Sequence, residues 1–353
     1  MNQEFWKGKK VLLTGHTGFK GGWLAMWLQS AGAEVIGVSL APTGDKNLYI
    51  AANLSDSMES HTTDIRNADQ LNKVFSAAEP EIVLHLAAQA LVRDSYDSPI
   101  ETYSTNVMGS LNVLEACRSC STVQSILIVT TDKCYQNREW LWRYREIDRL
   151  GGHDPYSSSK ACLELMVESY RNSFFSSSDA PNLVTARAGN VIGGGDWSKD
   201  RLIPDAIRAI ISNDKLQIRN PNAIRPWQHV LEPLNGYLKL VEKVHGDSSY
   251  LGSWNFGPDE QGEKSVAEIV NLLFKKWGGN AVDKWAVDEN ESVHEAGILK
   301  LDSTKARTNL SWVPNWNLET SIESIVQWHQ QELAGTNMKE FSLQQIRDFQ
   351  NGK

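Results

Sequence analysis

An α/β fold built on a doubly wound parallel sheet, with helices on both faces and a smaller mixed α/β C-terminal lobe, is the architecture this sequence predicts. Two observations carry the prediction. Short apolar, β-branched runs alternate with helical patterns of ten or more residues through the first half of the chain. Such alternation means βαβ units, and βαβ units mean parallel strands covered on both faces. After about residue 190 the alternation gives way to turns rich in Gly, Pro and Asp, such as GGGDWSKDR, RNPNAIRP and NFGPDEQGE.

Taken in order, KVLLTG reads as a strand and GWLAMWLQSAG as a helix ended by Gly32. EVIGVS is a strand, NADQLNKVFSAAE a helix, EIVLHLAA a strand and ETYSTNVMGSLNVLEACR a helix. SILIVTT is the next strand, DPYSSSKACLELMVESYRNSF a long helix, and NLVTARAGNVIG a strand that runs into a loop. No internal repeat and no low-complexity tract is visible. A chain of 353 residues holds two domains or one large one with lobes.

Composition excludes several classes of partner. With 35 basic and 43 acidic residues the net charge is −8, and no Lys/Arg run or basic stripe suits nucleic acid or an acidic membrane. No segment approaches the apolar length of a membrane span, and the N-terminus lacks a signal-peptide pattern. Cys117, Cys120, Cys134 and Cys162 are too few for a disulfide scaffold, so a reduced, cytoplasmic protein is expected. CRSC has C-x-x-C spacing without a second pair, so no metal site is expected.

The first strand leads into TGHTGFKGG, which sets Gly15, Gly18 and Gly21 at G-x-x-G-x-x-G spacing between a strand and a helix. Glycine allows the tight turn and lets a dinucleotide pyrophosphate approach the amides at the helix N-terminus. In this strand–turn–helix context the motif is the dinucleotide-binding, Rossmann-type fingerprint. The second strand ends on Ser39, with neither an acid for a ribose 2′-hydroxyl nor an Arg for a 2′-phosphate, so NAD against NADP stays open at this position. Asp64, in TTDIRN, is either an adenine contact or part of a helix N-cap region.

PYSSSK places Tyr156 and Lys160 four residues apart near a helix start, hence on one face. A tyrosine of ordinary pKa, about 10, is a poor base at neutral pH. A neighbouring ammonium and an oxidised nicotinamide stabilise its phenolate, so it can take a carbinol proton as hydride leaves. The strand SILIV ends on Thr130 and Thr131 and then on Asp132 and Lys133 side by side. A buried strand ending on a hydroxyl, a carboxylate and an amine lines a cleft for proton transfer, or else caps the strand in solvent.

These residues resemble the extended short-chain dehydrogenase/reductase family over nearly the whole chain. The resemblance rests on TGxxGxxG at Thr14–Gly21, HLAAQ at His85–Gln89, TTD at Thr130–Asp132 and YSSSK at Tyr156–Lys160. RPWQHV at Arg225–Val230, WNFGP at Trp254–Pro258 and LDSTKARTNLSWVPNWNLETSI at Leu301–Ile322 extend it. It implies NAD as cofactor, with Thr131 orienting the substrate hydroxyl, Tyr156 as acid/base and Lys160 on the nicotinamide ribose. The implied cofactor set is Gly15, Thr17, Gly18, Phe19, Lys20, Gly21, Asp64, Ile65, Leu86, Ala87, Ala88, Thr130, Tyr156 and Lys160. It also implies an NAD-binding Rossmann domain over residues 1–188, with a segment near 225–257 returning to it, and a mainly substrate-binding lobe over 189–353.

Within that family the Asp132–Lys133 pair, with GHTGFKGGWL and RAGNVIGGGDWSKDRLIPDAI, resembles the nucleotide-sugar 4,6-dehydratases acting on CDP-D-glucose. Epimerases usually carry unreactive residues there. A dehydratase must also remove a C5 proton and expel the C6 hydroxyl, which calls for an acid and a base. The expectation is that Asp132 is the acid and Lys133 the C5 base, the reverse assignment staying open; Lys133 must be neutral to act so, which desolvation and Lys160 favour. The resemblance implies a hydro-lyase supplying 3,6-dideoxyhexoses for surface polysaccharide (lipopolysaccharide O-antigen). Arg201 and Arg225 are the candidates for the substrate diphosphate, joined by Gln89, Asn190 and His229 as substrate contacts; for His229 a packed core role is an equal reading. The apolar surplus on SPIETYSTNVMGSLNVLEAC and YSSSKACLELMVESYRNSFF matches the helices through which the family pairs, so a homodimer or a dimer of dimers is expected.

Overall fold

The computed structural model describes residues 1–279, 284–288 and 296–352. Its strands in chain order are β1 (Lys10–Thr14), β2 (Glu34–Ser39), β3 (Glu59–Thr62), β4 (Ile82–His85), β5 (Ser125–Val129), β6 (Asn182–Ala188), β7 (Asn190–Ile192), β8 (Leu216–Ile218), β9 (Ile224–His229), β10 (Gly252–Phe256), β11 (Glu263–Ser265) and β12 (Trp285–Val287). Seven form one sheet in the order β3-β2-β1-β4-β5-β6-β10, and every pairing in it is parallel. The doubly wound architecture read from the sequence is the one found. Chain order reverses between β1 and β4, and in such sheets the crevice beyond the strand ends at that reversal takes the ligand.

Alternation of side chains along the strands divides the core between the two faces. Val11, Leu13, Leu84, Leu127 and Val129 point to the face covered by the helices Phe19–Ser30 and Leu231–Val244. Leu12, Val83, Ile126 and Ile128 point to the face covered by the helices Ala68–Ala78, Ser110–Ser119 and Pro155–Ser173. The C-terminal helix Met338–Gln350 also packs on the first face through Ile346 and Phe349. Two smaller sheets, β11-β9-β7 and β12-β8, build the lobe around Ile203, Ile207, Leu216, Ile218 and Trp227.

The sequence pattern and the backbone part company in one helix. The run expected to be continuous from Glu101 breaks into Pro99–Tyr103, a π-helical turn over Ser104–Gly109, and Ser110–Ser119. Buried Asn106 in that turn accepts from the Gln89 amide (2.8 Å) and donates to its carbonyl (3.0 Å) and to the Ser159 hydroxyl (2.9 Å). The wider turn presents an amide side chain to a loop at the sheet edge, where such turns recur at functional sites. In CRSC, Cys117 is buried and the Cys120 thiol meets the Thr122 hydroxyl at 3.2 Å.

The helix Pro155–Ser173 begins sharply. Pro155 occupies its first position, and the Asp154 carboxylate accepts from the Ser157 amide (2.9 Å) and hydroxyl (2.6 Å). That cap fixes where Tyr156 and Lys160 start. Asp154→Ala is expected to lower stability by about 1–2 kcal/mol, read as an earlier denaturant midpoint with an unchanged slope.

Candidate active site

One cavity of about 1280 Å³ opens along the carboxyl edge of the sheet, between it and the lobe. A single nucleotide pocket is usually several hundred Å³, so this one has room for a dinucleotide and a second large ligand.

At one end is the glycine turn. Gly15 has φ +78°, and a Cβ there would sit 2.8 Å from the Ala87 amide nitrogen. A Cβ on Gly21 would meet the Gly15 carbonyl oxygen at 2.1 Å. Only glycine closes this turn. Gly18 caps the following helix without a side-chain hydrogen bond, leaving the helix's first amides directed at the cavity. Beneath, Thr14 Oγ1 meets His85 Nδ1 at 2.7 Å and accepts from the Leu86 and Ala87 amides, both at 3.1 Å. Burial drives the His85 pKa down to about 3, so a neutral imidazole bridges Thr14 and Ser110. Where an acid was sought after β2, Ser39 instead meets the Thr17 hydroxyl at 2.7 Å. Asp64 is held by Arg66, whose Nη2 lies 2.6 Å away. The cap of the next helix is Asn67.

At the centre the strand β5 hands its end to the cavity. Thr131 caps the short turn Asp132–Cys134 and donates to Asp132 Oδ1 at 3.0 Å. Asp132 is buried, and its Oδ2 makes no hydrogen bond among the described residues. Burial raises its carboxyl pKa, while Lys133, Thr131, Arg225 and Lys20 oppose that rise. Lys133, Tyr156 and Lys160 line the same cavity. Burial pushes the Tyr156 phenol up to about 12, against the lowering influence of Arg201 and the Thr131 hydroxyl. Lys160 donates to the Val129 carbonyl at 3.4 Å, and burial brings its ammonium down to about 8.

At the lobe end Asn190, Arg201 and Arg225 are on the wall. Arg201 faces Asp196 at 3.5 Å. Arg225 donates to the carbonyls of Ile224, Ala296 and Gly297, which fix its guanidinium. Gln89 lines the cavity while its side chain donates to Leu91. Thus every residue expected for cofactor, chemistry or substrate is on one wall system except His229. That ring is fully buried beside Trp23 and Trp316, outside the cavity lining. It is the last residue of β9, and burial holds its pKa down to about 3; of its two readings, packing is the one found.

Sequence reasoning missed other groups. Arg93, from the sheet side, reaches Asp200 on the lobe at 2.9 Å across the cavity. Arg219 also lies near Asp200, at 3.9 Å. Asn106 carried no pattern of its own. Glu164 had one available signal, its place one helical turn beyond Lys160.

Comparison with known proteins places this architecture. A profile of the GDP-mannose 4,6 dehydratase family matches residues 12–325. The chain belongs to the GDP-mannose 4,6 dehydratase family. A CDP-glucose 4,6-dehydratase of Salmonella typhimurium is 46% identical, over 99% of this chain and 98% of that one. A UDP-glucose 4-epimerase of Halalkalibacterium halodurans is 26% identical, over 92% of this chain and 97% of its own. Among solved structures, a dTDP-glucose 4,6-dehydratase of Bacillus anthracis in complex with NAD superposes with TM-score 0.79 at 21% identity, over 94% and 100% of the two chains. That likeness shows a shared fold.

Lys20, in the glycine turn, is a cation among cations: burial, together with Arg201 and Lys160, lowers its pKa to about 7, and Asp132 and Asp196 pull the other way. A lysine whose folded pKa is below its ordinary 10.5 is protonated in the unfolded chain over a window where the folded chain has shed the proton. Stability therefore rises with pH across that window. Relative to Lys20→Met, the ligand-free protein is expected to gain stability between about pH 7 and 10.5, measured by urea unfolding across that range. A pH-independent difference would mean that Lys20 keeps its proton throughout.

Proposed function

We propose that this protein is a CDP-D-glucose 4,6-dehydratase, converting CDP-D-glucose to CDP-4-keto-6-deoxy-D-glucose and water with NAD retained. The observation that carries the reading is the Asp132–Lys133 pair on the cavity wall it shares with Tyr156 and Lys160. An enzyme that only oxidises and reduces C4 needs no such pair; one that also eliminates water across C5 and C6 does. The relative at 46% identity carries the same activity in its name.

The residues present fit the cofactor. The cradle closed by Gly15 and Gly21 admits no Cβ, and the uncapped helix start at Gly18 offers amides to a pyrophosphate. Thr17, Phe19, Lys20, Asp64, Ile65, Leu86, Ala87, Ala88 and Thr130 would line it, with Lys160 on the ribose. When bound, NAD supplies a hydride acceptor at C4 and a hydride donor at C6.

The chain's own groups move the protons. Tyr156 takes the proton of the C4 hydroxyl, its phenolate favoured by Arg201 and the Thr131 hydroxyl. The C4 ketone acidifies C5. Lys133 takes the C5 proton, Asp132 protonates the departing C6 hydroxyl, and Lys133 returns its proton to C5 at the end. Asn190, Arg201 and Arg225 hold the nucleotide end, with Gln89 beside the hexose. Residues 1–188 form the NAD domain, with the stretch near 225–257 returning to it, and residues 189–353 supply most of the substrate lobe. Exposed Ile100, Met108, Leu165 and Phe174 suit pairing with a second copy into a homodimer or a dimer of dimers. Among the described residues no helix is long and apolar enough to cross a membrane, in keeping with a cytoplasmic place in deoxysugar supply for surface polysaccharide.

Purified protein supplied with NAD is expected to turn over CDP-glucose in preference to dTDP- and UDP-glucose, read from the alkaline absorbance of the 4-keto product. No turnover of CDP-glucose would defeat the assignment. Lys133→Met is expected to abolish exchange of the C5 hydrogen with solvent deuterium and to slow turnover at least about 100-fold; undiminished exchange would remove Lys133 as the C5 base.

A further inference from the structure

Behind the cavity wall lies an ion pair that no step above uses. Glu164 and Arg187 are both buried, with the carboxylate accepting from Arg187 Nε at 2.9 Å and Nη2 at 2.7 Å. Three hydroxyls complete its shell: Thr130 at 2.5 Å, Thr185 at 2.9 Å and Ser253 at 3.2 Å. Arg187 is fixed in turn, donating to the Tyr135 phenol (2.8 Å) and the Glu146 carbonyl (3.1 Å), while Tyr135 donates to Asn255 (2.7 Å). A buried pair with this many partners is geometrically over-determined. Such a pair seldom adds much stability over an apolar substitute, so its use is sought in what it touches.

Two of its neighbours belong to the active site. Thr130 immediately precedes Thr131. Tyr156, Lys160 and Glu164 follow one another at i, i+4 and i+8 on one helix face, so the carboxylate lies one turn behind the ammonium. We propose that Glu164 is a positioning residue for the dehydration: anchored by Arg187, it holds Lys160 against the Val129 carbonyl as a cation and fixes the Thr130–Thr131 end of β5 beneath the substrate.

The groups facing Lys160 support this. On the turn Asp132–Cys134, burial raises the Cys134 thiol, which stays neutral. On β4, His85 is neutral. From the glycine-turn helix Lys20 repels. From its own helix Glu164 raises the Lys160 pKa against the lowering by burial. With Glu164 neutralised, Lys160 loses its proton at lower pH and the phenolate of Tyr156 loses its partner.

The inference rests on the dehydratase reading, and its test separates the two. In Glu164→Gln the alkaline limb of kcat with CDP-glucose is expected to move to lower pH by about one unit, while Glu164→Asp keeps the limb near its wild-type position. Should Glu164→Gln alone not fold because Arg187 is left unpaired, the double variant Glu164→Gln/Arg187→Met restores the charge balance and is expected to shift the limb in the same direction, by less. NAD binding followed by tryptophan fluorescence over the same pH range gives a second reading, with its alkaline midpoint moving alike. A folded variant whose limb and binding midpoint both stay in place overturns the proposal. A wild-type protein inactive on CDP-glucose fails the dehydratase reading instead, and the NAD-binding midpoint still decides the role of Glu164.

Discussion

Because every strand of the central sheet runs the same way, residues far apart in sequence leave it at one edge. Thr14 pairs with His85, His85 with Ile128 and Val129 with Ala186. The turn after β1, the loop after β4 and the turn after β5 are therefore neighbours, although more than a hundred residues separate the first from the last. Hydrogen bonds lock the first two together, since Thr14 serves His85, Leu86 and Ala87 at once. A glycine turn, a hydroxyl and the Asp132–Lys133 pair converge because the backbone has one open edge at which to place them.

That edge concentrates charge in a place poor in water. Lys20, Lys160 and Arg201 share it with Asp132 and Asp196. Separately each would be costly to bury. Together they offset one another only in part, which is why the lysines lose proton affinity and Asp132 gains it. Groups displaced from their ordinary pKa values in opposite directions are what proton transfer near neutrality requires. The anionic diphosphates of two nucleotides would relieve the excess of cations.

How much of this was legible depended on whether a residue's signal was local. The strands, the glycine turn, Tyr156 with Lys160 and the Asp132–Lys133 pair each form a short pattern, and each is on the wall where that pattern put it. The π-helical turn at Asn106 was hidden because the hydrogen bonds that hold it run to Gln89, a tertiary contact that no local pattern encodes. His229 occupied a polar slot in a strand pattern, and nothing local told that the Trp23 and Trp316 rings would enclose it. Arg93 and Asp200 meet across the two lobes, a relation that periodicity does not encode. Glu164 was readable by its spacing from Lys160, but only Arg187, brought next to it by β6, makes its burial intelligible.

The proton balance of the reaction bears on which member of the pair is the acid. In the proposed reaction Tyr156 gains a proton from O4 and the product ketone never takes it back, while the group that expels the C6 hydroxyl as water ends one proton short. A cycle restores itself when the first can resupply the second. Thr131 stands between them: its hydroxyl donates to Asp132 Oδ1 at 3.0 Å and lies beside the Tyr156 phenol. A hydroxyl can accept from one neighbour while donating to the other, so the proton taken by Tyr156 has a one-residue route to Asp132. Burial already favours the protonated form of that carboxyl, and a protonated carboxyl is what departure of the C6 oxygen needs. Lys133 needs no such route, because it gives a proton back to C5 for the one it removes there. The arrangement therefore favours Asp132 as acid and Lys133 as base over the reverse.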